Sequence, residues 1–465
     1  MRISAIPGYA PAFIAGAILS SGCSRPDAPR PNILLITLDT TRADHLGCYG
    51  HVRPTSPELD RLARQSVRYT NAYSPTSWTL PAHASLFTGK FPSAHGATHD
   101  PEGKLRLSQG IVGDFDGHRA QPIADDEITL ASILARHGWA TGGIAGGPWM
   151  KRVFRLDRGF DFYDDDHIDD VNGRSAADIT AVAKDFIDRQ EDAPFFLFLN
   201  YYDPHGPFRP EPAYLGKVVR PGEDPRRMTR HERARLAYDA EIRYMDDHLG
   251  ELLRHLRTKG LFENTWIIVT ADHGELLGDT ILGGGPAHGH GHSLSEAEIH
   301  VPLIVKYPGT APRRGTNDTP VQLTDVLPTL LDALSIPAPP DIQGRSFDDP
   351  ERGPIFAEVY PLHSQSEYDW RLTGDWRVLF EGSYKFGWNS LERHFLVNVA
   401  EDPGEENNIG STDPIRIRRI EARMQRLLRS FPAPGSVATG AQVDAATTRS
   451  LQQLGYLGEE HLNEE

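Results

Sequence analysis

Three stretches constrain the fold of this chain more than anything else in it: ILLITLD (33–39), APFFLFLNYYD (193–203) and TWIIVTAD (265–272). Each is apolar almost without interruption and then breaks into an aspartate. A strand with one wet face alternates apolar and polar residues, whereas a run apolar at successive positions suits a strand covered on both faces, as in a parallel sheet flanked by helices. IHVPLIVKYPG (299–309) is a fourth such run. Helical patterns lie between them. SPELDRLARQSVRYTNAY (56–73) offers Ser56 as a cap, Pro57 at the first helical position and apolar residues at helical spacing, which predicts a helix. TLPAHASLFTG (79–89), EITLASILARHG (127–138) and ERARLAYDAEIRYMDDHLGELLRHLRTKG (232–260) predict three more. Strands alternating with helices in this way mean an α/β fold with a mostly parallel sheet flanked by helices.

The character changes after about residue 350. DWRVLFEGSYKFGWN (375–389) and RHFLVNV (393–399) read as antiparallel strands, and DPIRIRRIEARMQRLLRSF (413–431) as a helix. The expected organisation is therefore a segment 1–23 outside the fold, a Pro-rich linker 24–31, a main α/β domain 32–350, a smaller antiparallel sheet plus helix 351–431, and a tail 432–465. The first segment carries an early Arg, an apolar stretch and small residues ahead of Cys23, the pattern of a secretory signal. Its LSSGC end resembles a lipoprotein box, so the expected location is periplasmic or outer-membrane, with membrane attachment through a lipidated Cys23. Cys48 is the one other cysteine; with Cys23 lipidated or removed, no disulfide forms within the chain. A formal net charge of −16 argues against a nucleic-acid partner, since phosphate backbones select basic surfaces.

Asp39, Asp203 with His205, and Asp272 with His273 all follow buried strands. Ligands of open α/β sheets bind beyond the carboxyl ends of the strands, so these side chains are expected to converge. Carboxylate and imidazole together suit zinc or manganese, and oxygen-only sites suit calcium or magnesium. Thr79 stands at a helix entrance, where exposed N–H groups favour an anion, with His83 one turn along on the same face. A threonine hydroxyl is a poor nucleophile until a metal or base activates it. Metal, hydroxyl and helix end together suit displacement at a phosphate or sulfate ester. AHGHGHSL (287–294) adds His288, His290 and His292 in a Gly-rich loop; of these His290 is the candidate, and Asp203 with His205 and His290 is the alternative for a second ion.

NILLITLDTTRADHLGCYG, SWTLPAHASLFTGKFP, YYDPHGPF, VTADHGELLGD and VPLIVKYPG together resemble the sulfatase family of the alkaline phosphatase superfamily, over roughly residues 31 to 410. The resemblance implies the alkaline-phosphatase-like sheet, one divalent ion rather than two, and an anionic ester substrate, either a small molecule or linked to a glycan. Three departures bear on function. The family's formylglycine motif, C/S-x-P-x-R, reads T-L-P-A-H, so Thr79 stands for the modified residue and His83 for the Arg. Its paired aspartates read Asp39-Thr40, and its sulfate-binding Gly-Lys-Trp-His stretch reads AGGPW (145–149).

What remains resembles the superfamily's threonine enzymes, which implies Asp39, Asp272, His273 and Thr79 as metal ligands. Thr79 is then the nucleophile on a phosphate mono- or diester or a phosphonate ester, with His83, His205 and His290 stabilising the transferred oxyanion or protonating the leaving group. Two other readings stand beside it: a divergent sulfatase cleaving sulfate esters, and an inactive surface protein that binds glycans or anions.

Overall fold

A computed structural model describes residues 30–98, 105–106, 119–168, 173–190, 193–360, 371 and 373–435. The expected signal segment, Cys23, most of the expected linker, residues 99–104 and 107–118 and the tail beyond 435 lie outside the described residues. From Pro31 onward the chain forms one compact unit.

The centre is a nine-stranded sheet. Its strands are β1 (Asn32–Leu38), β2 (Val67–Tyr73), β3 (Ala140–Ile144), β4 (Phe162–Asp164), β5 (Phe195–Tyr201), β6 (Thr265–Thr270), β7 (His300–Lys306), β8 (Gly315–Asn317) and β9 (Val321–Gln322). The order is β8-β2-β7-β6-β1-β5-β3-β4, with β9 also on β2. β6, β1, β5, β3 and β4 run parallel, and β7 is antiparallel to both its neighbours. Every residue of β1, β5 and β6 is buried, as their unbroken apolar character requires.

Helices α1 (Pro57–Ala63), α2 (Thr79–Thr88), α3 (Ala176–Asp188) and α4 (Arg230–Thr258) flank it. One face of the sheet, with Ile33, Leu35, Phe196 and Phe198, packs on α2 through Leu80, Ala84 and Phe87. The other, with Leu34, Ile36, Leu197 and Leu199, packs on α3 and α4.

The helix expected over 56–73 is half right. It stops at Ala63, and Val67–Tyr73 is β2, paired with β7. The apolar spacing continues, but Val67, Tyr69, Thr70 and Tyr73 favour a pleated, half-buried surface. Ser56 does not cap by its side chain either; Asp246 of α4 reaches across and accepts from Glu58 N and Leu59 N, both at 2.8 Å.

The C-terminal part is a four-stranded antiparallel sheet, Phe356–Val359, Trp376–Glu381, Tyr384–Asn389 and His394–Asn398, covered by α5 (Pro414–Ser430). Fully buried Lys385 ties it to the main sheet: its Nζ lies 2.7 Å from Glu405 and 3.1 Å from Glu296, which stands just ahead of β7. Breaking a buried ion pair by removing one partner strands the other charges. Lys385→Ala is therefore expected to lose about 3–5 kcal/mol of stability in urea denaturation, whereas exposed Arg426→Ala should leave the midpoint unchanged.

Candidate active site

β6, β1 and β5 are parallel neighbours, so their carboxyl ends open on one edge. Asp39 follows β1, Asp272 and His273 follow β6, and His205 lies in the turn after β5. Thr79 opens α2, which packs over the same edge. The structure brings Asp39, Thr79, Asp272 and His273 together, all essentially inaccessible to solvent. His205 and His290 form the partly exposed rim: their rings are 5.0 Å apart, and His290 lies 4.5 Å from the His273 ring.

The N-cap of α2 is Trp78, without a side-chain cap bond. The Thr79 hydroxyl is therefore free of capping; it faces His273 Nε2 at 3.2 Å. His273 Nδ1 is 2.9 Å from the Gly274 carbonyl, an acceptor only, so Nδ1 carries the proton and the Nε2 lone pair points at Thr79. Burial pushes the His273 imidazole well below its ordinary pKa, and keeps it neutral.

Asp272 Oδ1 accepts from Thr40 N at 3.2 Å and from His273 N at 2.9 Å. Asp39 Oδ2 accepts from Asn200 Nδ2 at 3.2 Å. The other oxygens, Asp39 Oδ1 and Asp272 Oδ2, are buried with no hydrogen-bond partner. Burial raises both carboxyls above the ordinary carboxylate range, and the Asp272 charge raises Asp39 further. Two unpartnered oxygens and one lone-pair nitrogen are the donor set a divalent cation needs, and one ligand atom from each of Asp39, Asp272 and His273 lies within 4.8 Å of the other two.

Spacing supports the same fit. Ligands about 2.0–2.1 Å from a tetrahedral ion stand about 3.3 Å apart. His273 Nε2 is 3.4 Å from Asp272 Oδ2 and 3.2 Å from Thr79 Oγ1. A second cluster, His45, His51 and Asp239, does not fit. His45 Nδ1 is 2.6 Å from Asp239 Oδ1, a hydrogen-bond length, and Arg53 Nε already lies 3.3 Å from Asp239 Oδ2. It is an ion-pair network.

His83 is fully buried behind Thr79. Its Nδ1–H donates to the Thr79 carbonyl at 2.8 Å, and its Nε2 meets Thr37 Oγ1 at 2.9 Å. His205 donates from Nδ1 to the Gly206 carbonyl at 2.7 Å and stacks on Tyr202, ring centres 4.5 Å apart. Burial holds it neutral, well below its ordinary pKa. For His290, burial works downward too, but Glu275, 3.0 Å from Nδ1, holds the imidazole above its ordinary value. Asp203 is turned to α3, where Oδ1 accepts from Ala176 N at 3.0 Å. His288 is an exposed ring stacked on His231, and His292 is buried.

Two of the departures from the family motifs have a structural part that the sequence does not show. Thr40 has φ 52°, an uncommon conformation for a β-branched residue. Asp272 holds its N–H, and Tyr238 OH donates to its carbonyl at 2.7 Å while accepting from Arg42 N at 2.9 Å. Tyr238→Phe strands both backbone groups beneath the site, and should lower stability by about 1–3 kcal/mol in urea denaturation. The second is the pair Gly146–Gly147. A Cβ there would stand 2.3 Å from the Asn200 carbonyl and 2.5 Å from the Tyr202 ring, so the turn after β3 closes against β5 only without side chains. A cavity of about 1210 Å³ lies elsewhere, lined by Arg42, Asp279, Glu296, Arg352 and Glu381 among others. Its Asp279, Glu296 and Glu381 are paired with Arg or Lys.

A family model described as Sulfatase matches residues 31–336. An ulvan-active sulfatase of Formosa agariphila is 26% identical over 360 residues, covering 70% of this chain and 66% of that protein. Among solved structures, the phosphonate monoester hydrolase of Silicibacter pomeroyi superposes with a TM-score of 0.67 at 21% identity, covering 86% of this chain and 96% of that one. A protein solved with its substrate D-glucosamine-2-N,6-O-disulfate gives 0.65 at 19% identity, covering 86% and 98%. These structural likenesses show the fold.

Proposed function

The chain belongs to the sulfatase family and is an ester hydrolase of the alkaline phosphatase superfamily, and from that premise we propose that it cleaves phosphate mono- or diesters or phosphonate esters with Thr79 as nucleophile. The observation that carries the reading is the Thr79 hydroxyl, uncapped and 3.2 Å from His273 Nε2, beside the partnerless oxygens of Asp39 and Asp272. Asp39, Asp272, His273 and Thr79 would hold one divalent cation, zinc or manganese before calcium or magnesium. Bound there, such an ion lowers the pKa of a hydroxyl it touches and draws charge off the transferred group.

Thr79 Oγ attacks phosphorus as its proton passes to neutral His205 Nε2, and the bond to the leaving oxygen breaks. His290, held protonated by Glu275, gives its proton to that oxygen. Water then attacks the phosphothreonine, its proton passing to the His290 imidazole left neutral by the first step, and His205 returns its proton to the departing Thr79 Oγ, so that the hydroxyl and both histidines are restored. The start of α2 faces the anion with its helix dipole. His83, with both nitrogens engaged inside the protein, holds the Thr79 backbone rather than touching substrate. The segment ahead of Cys23 supports export, with Cys23 as a lipid anchor, and nothing in the site is shaped for nucleic acid.

Hydrolysis of sulfate esters, on glycans among other carriers, is the second reading; the sulfatase names among the relatives favour it. The test is the purified full-length chain against 4-nitrophenyl phosphate, bis(4-nitrophenyl) phosphate, a 4-nitrophenyl phosphonate and 4-nitrophenyl sulfate. Turnover of phosphorus esters with little or no sulfate release is expected. Sulfate release alone would give the site to the second reading, and a protein that binds metal but turns over none of them would favour the inactive anion-binding reading.

A further inference from the structure

Thr37 and Asn200 are cross-strand partners in the β1–β5 register. Both lie on the α2 face, where the strands read Ile33, Leu35, Thr37, Asp39 and Phe196, Phe198, Asn200. Apolar steps thus give way to polar ones at the edge carrying the site. Both side chains are fully buried, where a polar group without a partner costs about 1–3 kcal/mol.

The Asn200 amide uses all its bonds. Oδ1 accepts from Gly146 N at 3.2 Å and Gly147 N at 3.1 Å. Those two donors fix which way the amide faces, so Nδ2 is turned to the site. It donates to Asp39 Oδ2 at 3.2 Å and to Thr37 Oγ1 at 3.3 Å. From Thr37 the chain of bonds continues in one direction. The Thr37 hydroxyl donates to His83 Nε2, and His83 Nδ1–H donates to the Thr79 carbonyl. One amide thus touches two branches, one ending on the Asp39 carboxylate and the other on the backbone of the proposed nucleophile.

We propose that Asn200 is the positioning residue of this site, turning Asp39 so that Oδ1 faces the cation and, through Thr37 and His83, fixing Thr79. The inference rests on the reading of Asp39 as a metal ligand and of Thr79 as nucleophile. Partners of this kind behind metal ligands typically set metal affinity or activity by about 10–100-fold. A role in general packing would move both branches together with stability. The proposed role separates them, because Thr37 lies on the nucleophile branch alone.

The experiment measures Zn²⁺ and Co²⁺ affinity of the metal-stripped protein by competition with a chelating dye, and kcat and KM at saturating metal, for Asn200→Leu, Thr37→Val, Thr37→Ser and Asp39→Ala. Asn200→Leu should bind metal about 10–100-fold more weakly and lose kcat. Thr37→Val should keep metal affinity within about two-fold yet lose kcat about ten-fold with KM little changed, and Thr37→Ser should restore it. If Asn200→Leu proves unfolded by circular dichroism, Asn200→Ser serves for the same measurements. Wild-type affinity in a folded Asn200 variant while Asp39→Ala loses metal overturns the inference. Equal loss of metal affinity in Thr37→Val and Asn200→Leu overturns it too. Wild-type affinity in Asp39→Ala would instead sink the ligand assignment on which it rests.

Discussion

Thr79→Ala is expected to abolish ester turnover, by about 10⁵-fold or more as for loss of a hydrolase nucleophile, while leaving the fold intact. The substitution removes one hydroxyl and one methyl. The hydroxyl caps nothing, because the N-cap of α2 is Trp78 and no side chain caps the helix, and alanine is the best helix former. A structural role for Thr79 would therefore show as lost stability and a catalytic role as lost rate. Thr79→Ser, which keeps the oxygen, should retain turnover, lowered by the extra rotamers open to a side chain without the β-methyl. Steady-state kcat/KM, urea midpoints and bound-metal counts on the three proteins decide it. Turnover in Thr79→Ala within about ten-fold of wild type would remove Thr79 from the chemistry and leave water or another group as the attacking oxygen.

Much of this arrangement was legible because the physics behind it is local. A strand buried on both faces has to be apolar at successive positions, and parallel strands end on one edge. Asp39 and the pair Asp272–His273 can therefore be gathered from two stretches more than two hundred residues apart. β2 was not legible: Leu59, Leu62, Tyr69 and Tyr73 keep a helix-like spacing, and what makes Val67–Tyr73 a strand is its partner β7, more than two hundred residues away. Thr37 and Asn200 were passed over for the opposite reason. Each is a single polar residue in an apolar run, and only the register reveals that they face each other. His83 shows the limit of reading by correspondence. It takes the place of a family arginine, but the structure engages its two nitrogens with Thr37 and the Thr79 carbonyl.

Removing the cation should be nearly as damaging as removing Thr79, and the pH dependence of its binding follows from the site's charges. Chelation is expected to lower turnover by about 10³-fold or more, with recovery on adding zinc or manganese. Binding requires Asp39 and Asp272 ionised and His273 neutral. Both carboxyls are raised above the ordinary range, chiefly by burial and, for Asp39, by the charge of its neighbour. As pH falls through those raised values protons displace the ion, and affinity should drop by up to about a hundred-fold per pH unit while two protons compete. His273, pushed well below its ordinary value, adds nothing until lower pH.

The stripped protein responds with the opposite sign. Its carboxyls have higher pKa values folded than unfolded, so the folded state binds more protons and stability rises as pH falls toward the unfolded value. With ion present at about a thousand times its dissociation constant, binding contributes about 4 kcal/mol, and that contribution disappears on acidification. Melting curves with and without chelator, taken from pH 8 down to pH 5, should therefore start well apart and converge. Curves that stay parallel would mean the ion, if bound, is not held by this pair of aspartates. Curves that coincide at every pH would mean that no ion stabilises the fold.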